Sequence, residues 1–130
     1  MKVAVIGSRN LKVKNIGQYL PAGTDCIISG GAAGVDACAA VYAKRARITL
    51  KEILPDYSAF GRRAPLVRND AIIAAADTVI AFWDQKSHGT EYVIAQCERL
   101  GKPIEVYIPD PAVKHGFIPM PRHTQLKFSF

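Results

Sequence analysis

Five short apolar runs, each breaking off into a glycine, proline or polar loop with helix-length stretches between them, constrain this chain more than any other feature. Val3 to Ile6 ends at Gly7, and Cys26-Ile27-Ile28-Ser29 runs into Gly30-Gly31-Ala32-Ala33-Gly34. Ile48 to Leu54 stops at Pro55, Thr78 to Trp83 at Asp84, and Ile104 to Ile108 at Pro109. Apolar runs of this length, rich in branched residues, read as strands buried on both faces. Between them the apolar spacing becomes helical. Val35, Cys38, Ala39, Tyr42 and Ala46 share one face of a helix beginning near Val35. Pro65 suits the first turn of a helix that continues over Leu66 to Ala76. Residues 90 to 100 turn Val93, Ile94, Cys97 and Leu100 inward before Gly101 and Pro103 end the helix. Leu11, Ile16 and Leu20 suggest a further helix over residues 11 to 20. Pro55 to Pro65, with Gly61-Arg62-Arg63, and Asp84 to Gly89 read as loops.

Strands alternating with helices predict an α/β fold, a Rossmann-like doubly wound parallel sheet of about five strands in the order 3-2-1-4-5. A chain of 130 residues is one domain of this kind. Residues 1–108 make the expected Rossmann-like unit. Residues 109–130 make a proline-containing C-terminal extension packed on it, with Gln125 to Phe130 the stretch for one short added strand.

No apolar run approaches the ~20 residues of a membrane span, and Met1 to Gly7 is too short for a signal peptide. A cytoplasmic protein without a membrane partner is therefore expected. Cys26, Cys38 and Cys97 are odd in number and lack zinc spacing, so they read as buried small hydrophobes. His88, His115 and His123 form no metal pattern either, and neither a metal nor a required cofactor is expected. The formal charge of +6 suits an anionic partner, from a mononucleotide to single-stranded nucleic acid. Some of that charge has a local use: Lys44, Arg45 and Arg47 end a predicted helix, where cations offset its dipole.

In a doubly wound sheet the ligand lies outside the strand carboxyl ends, where the winding reverses. Three loops converge there: Gly7-Ser8-Arg9-Asn10 after the first strand, Gly30 to Asp36 after the second, and Asp84 to Glu91 after the fourth. Gly30, Gly31 and Gly34 stand between a strand and a helix, either as an anion cradle or as a tight connector. Ser87, Gly89 and Thr90 offer a second anion site, with Thr90 equally suited to cap the helix. Ser8 brings a hydroxyl and Arg9 a guanidinium that forks onto phosphate oxygens. Asp36 either meets a ribose hydroxyl or simply stabilises a helix start. Arg68 and Asn69 open the third helix behind the solvated Arg62 and Arg63.

In this order, Val5 to Asn10, Ile28 to Asp36, Arg68-Asn69-Asp70 with Ile72-Ile73, Asp77 to Phe82 and Gly89-Thr90 resemble the SLOG superfamily. That superfamily joins the Smf/DprA DNA-processing proteins to the LOG phosphoribohydrolases, and the chain looks most like its small YspA-like branch of bacteria and phages. The resemblance spans residues 2 to 108. It implies a nucleotide or an NAD- or ADP-ribose-like ligand over the glycine loops, and pairing of chains into homodimers. It places Gly7, Ser8, Gly30, Gly31, Gly34, Asp36, Arg68, Asn69, Gly89 and Thr90 along the pocket. The phosphoribohydrolases carry P-G-G-x-G-T-x-x-E, whereas here Ser87-His88-Gly89-Thr90-Glu91-Tyr92 lacks the double glycine and puts the acid directly after the threonine.

Three functions fit these residues. The first is binding or sensing of a nucleotide-derived phosphate ligand. The second is hydrolysis of a nucleoside monophosphate at its N-glycosidic bond, with Glu91 or Asp36 stabilising the ribosyl cation or activating water and Arg68 holding the phosphate as catalytic residues. The third is single-stranded DNA or RNA binding through Arg62, Arg63 and Arg68, with Phe60 or Trp83 stacking on bases.

Overall fold

The structure is a computed structural model and describes residues 1–121. Its strands are β1 (Lys2–Gly7), β2 (Cys26–Ser29), β3 (Thr49–Glu52), β4 (Thr78–Phe82), β5 (Ile104–Pro109) and β6 (Phe117–Pro119). Its helices are α1 (Val35–Ala46), the single turn α2 (Tyr57–Phe60), α3 (Ala64–Ala75) and α4 (His88–Leu100). The strands form one sheet in the order β3-β2-β1-β4-β5-β6. The first five are parallel, and β6 runs antiparallel to β5 with Ile108 opposite Ile118. The chain is thus a Rossmann-like α/β fold with the expected strand order. β6 was not anticipated, and the expected strand over Gln125 to Phe130 lies outside the described residues.

The two-residue period of the strands divides the core into two layers. Val3 and Val5 of β1, Ile27 of β2, and Ile80 and Phe82 of β4 pack under α1, whose buried stripe is Val35, Ala39 and Ala43. Ala4 and Ile6, Ile28, and Val79 and Ala81 point the other way, under Ile72 and Ile73 of α3 and Val93, Ile94 and Cys97 of α4. Each central strand is therefore apolar on both faces, which produced the continuous runs in the sequence. An edge ring cluster closes the α1 side: Tyr19 meets Phe82 edge-on at 5.1 Å, and Phe82 in turn meets Phe117 of β6 at 5.1 Å. Phe117 thereby ties the beginning of the extension to the domain.

Several expectations are corrected. Residues 11 to 20 yield only a 3-10 turn over Ile16–Tyr19, because Gly17 packs directly against the Tyr42 ring and Pro21 lies just beyond. Pro55 to Pro65 is more ordered than a loop. Asp56 accepts from Ala59 N at 3.1 Å to start α2, and a 3-10 turn over Gly61–Arg63 leads into α3. The fourth helix begins at His88, inside the expected Asp84 to Gly89 loop. Ala46 and Leu100, expected inside, are exposed because each stands in the last turn of its helix, where the chain turns away toward the next strand. The cysteines are unpaired; Cys97 is buried as expected, which raises its thiol to about 11, whereas Cys26 and Cys38 are only half-buried.

Candidate functional site

The parallel strands end together, and an open cleft of about 430 Å³ lies over their carboxyl ends. From β1 come Gly7, Ser8, Arg9 and Asn10; from the β2 connection, Gly30, Ala32 and Asp36; from the β4 connection, Asp84, Ser87, Gly89 and Thr90. α3 supplies Pro65, Arg68 and Asn69, and Ile6, Ile72 and Val93 form an apolar floor. The three loops expected at the winding reversal do meet there.

The β4 connection is built on Asp84. Its Oδ1 accepts from the backbone N–H of Lys86 and of Ser87, both at 2.8 Å, and from the Ser87 hydroxyl at 3.0 Å. Its own N–H donates to Ser8 Oγ at 3.1 Å, and Ser8 and Ser87 hydroxyls lie 2.8 Å apart. Burial works to raise the Asp84 carboxyl, but these donors outweigh it and hold the pKa down to about 2. Gln85 completes the turn in the left-handed region, φ 66°. Ser87 stands at the N-cap of α4 yet makes no capping bond, its hydroxyl being committed to Asp84 and Ser8. Helix geometry leaves the first N–H groups of α4 without intrahelical acceptors, and they open beside Gly89 and Thr90 with the positive end of the helix dipole. Thr90 is buried inside the first turn; the N-cap position belongs to Ser87.

The β2 connection is organised differently. Gly34, at φ 72°, brings its backbone against the Arg9 backbone, where any side chain would collide. Gly31 packs against Leu54 and Glu52. Neither Gly31 nor Gly34 lines the cleft, so of the two readings of the glycine run the tight connector describes them. Gly30 does line it, and its missing side chain leaves room for Arg68 Nη1 and the Asp36 carboxylate. Arg68 Nη1 donates to Gly30 O at 2.7 Å and Nε to Asn69 Oδ1 at 2.8 Å, so Arg68 bridges α3 to the β2 loop.

Asp36 is buried, with 7% of its surface exposed, rather than solvated at a helix start. Its Oδ2 accepts from Ala32 N at 3.1 Å. Its Oδ1 is buried without any hydrogen-bond partner, the single such side-chain atom among the described residues. Burial raises its pKa and Glu52 adds to the rise, while the Ala32 N–H and Arg68 oppose it.

Glu91 lies outside the cleft. It is half exposed on α4 with an oxygen 3.9 Å from His88 Nδ1, one helical step round from Thr90. Trp83 is packed, donating from Nε1 to Ser87 O at 3.1 Å, whereas Phe60 is exposed. Among the described residues no group of three or more His, Cys, Asp or Glu side chains is arranged to hold a metal. No helix among them is long and apolar enough to cross a membrane.

Sequence reasoning missed Asp84. The signal was present as Asp84-Gln85-Lys86-Ser87, an aspartate with a serine three residues on, the pattern of a side chain folding back onto its own turn. It also missed the apolar floor, since Ile6, Ile72 and Val93 look like any other core residues. Compared with protein-family models, curated proteins and solved structures, the chain matches none.

Proposed function

We propose that this protein binds or senses a nucleotide or nucleotide-derived phosphate ligand in the cleft, as a member of the SLOG superfamily near its YspA-like branch. The observation that carries this reading is the convergence of the β1, β2 and β4 loops on one cleft at the winding reversal. The start of α4 opens there across from Arg9, over an apolar floor suited to a flat ring. Binding is favoured over hydrolysis because Glu91, one carboxylate of the hydrolase reading, is not among the cleft residues, Asp36, the other, is buried with one oxygen held by the Ala32 N–H, and Asp84 is occupied within its own loop. It is favoured over nucleic-acid binding because Trp83 is packed and Arg68 is committed to Gly30 and Asn69.

Gly89→Asp tests this reading. Position 89 lines the cleft and an added Cβ meets nothing within 4 Å, so a side chain is accommodated. An aspartate in the first turn of α4 favours the helix while placing a negative charge where a phosphate would bind. In thermal-shift titrations with AMP, ADP-ribose, NAD and cyclic nucleotides, a ligand at about 100 times Kd should stabilise the native chain by about 2.7 kcal/mol. Gly89→Asp should melt at or above the native temperature and lose that shift. A salt-sensitive shift with a single-stranded oligonucleotide, and none with any small ligand, would support nucleic-acid binding instead.

A further inference from the structure

We propose that Asp36 Oδ1 is the acceptor for a ring hydroxyl of the ligand, so that the cleft selects ribosyl over deoxyribosyl compounds. This inference rests on the nucleotide reading and specifies the part of the ligand that faces α1.

The oxygen is buried, unpartnered and on a residue that lines the cleft. A buried acceptor left unsatisfied is costly, so a group that satisfies it on binding is favoured. The carboxylate is preset for the role. Its other oxygen is held by the Ala32 N–H, and the space it occupies exists because residue 30 is glycine. Arg68 does not fill the need, since its hydrogen bonds go to Gly30 O, Ile53 O and Asn69 Oδ1.

The chemistry of the missing partner follows. A phosphate oxygen brings no proton at neutral pH, and Asp36 and Glu52 together repel it. A hydroxyl donates a hydrogen bond and carries no charge. The sheet also separates the two ligand groups. Asp36 follows β2 and the open start of α4 follows β4, with β1 between them. Both line the cleft, so a sugar at Asp36 leaves its phosphate free to meet the start of α4.

The test measures affinities of the four ribonucleoside 5′-monophosphates and their 2′- and 3′-deoxy counterparts, for the native chain, Asp36→Ala, Asp36→Asn and Gly89→Asp. Removing the responsible hydroxyl should weaken binding to the native chain about tenfold or more, as expected when a site built around a hydroxyl loses it. Asp36→Ala should bind ribo and deoxy forms alike. Asp36→Asn, nearly isosteric, should fold as the native chain does and compress the ratio. Ribo and deoxy forms binding the native chain equally, with Gly89→Asp weakening both, would overturn the hydroxyl inference and leave the nucleotide reading standing. No binding of any nucleotide to the native chain would overturn both.

Discussion

Two aspartates in the same cleft are held in opposite ways, and their pH dependences should have opposite signs. The folded-state pKa of Asp84 is depressed, to about 2, by the donors gathered on it despite its burial. Its contribution to stability is present above the ordinary aspartate range and is lost as pH falls from about 4 toward 2. Asp36 is raised by burial, so its contribution is present at low pH and lost as pH rises through its folded pKa. Thermal melts across pH should therefore show Asp84→Asn with a flatter acid limb than the native chain. Asp36→Asn should melt at or above the native temperature at pH 7, its advantage shrinking below about pH 4. A native-like acid limb in Asp84→Asn would mean that the loop does not depend on that carboxylate. Gly34 presents a backbone problem instead. At φ 72° against the Arg9 backbone, Gly34→Ala should cost about 1–3 kcal/mol in chemical denaturation and displace Arg9 from the cleft.

At the scale of elements, helix ends decide what is offered to the cleft. α4 begins at an N-cap serine whose hydroxyl is used elsewhere, and α1 begins at Gly34, which has no side chain to cap with. α4 thus keeps its first N–H groups open toward the cleft, whereas the start of α1 is packed against the Arg9 backbone at Gly34. Their other ends serve stability alone. α4 ends at Gly101 in the left-handed region, φ 71°, whereas α1 ends at Arg47 in the same conformation, φ 58°. A side chain in that region is unfavourable, and the cationic benefit at the C-terminus remains with Lys44 and Arg45. Arg47→Gly should therefore stabilise the protein by about 0.5–1 kcal/mol in urea unfolding and leave ligand binding unchanged. A loss of stability would show that Arg47 contributes more than its backbone conformation costs.

For the whole molecule, two core layers share one sheet, and β1 and β4 contribute to both. Trp83, the single tryptophan, lies in the layer under α3 and α4, so its fluorescence reports one side while far-ultraviolet circular dichroism reports helices on both. The two unfolding curves should coincide, because neither layer keeps a floor without the central strands. Separate midpoints would mean that α1 and its layer detach first. The sequence alone determined the strand count of the parallel part, its order and the three loops that form the cleft, because buried parallel strands and the helices between them write their periods directly into apolar spacing. It could not determine that Ile16–Tyr19 is only a turn, that Tyr57–Phe60 is a helix or that Phe117–Pro119 joins the sheet. The first and last of these are fixed by contacts with distant residues such as Tyr42, Phe82 and Tyr107, while Tyr57–Phe60 is a single turn held by the Asp56 cap. Nor could it separate Gly30 from Gly31 and Gly34, or Thr90 from Glu91, since neighbours in sequence differ in the site by direction alone. Tertiary packing sets that direction, and it leaves one oxygen of Asp36 buried without a partner.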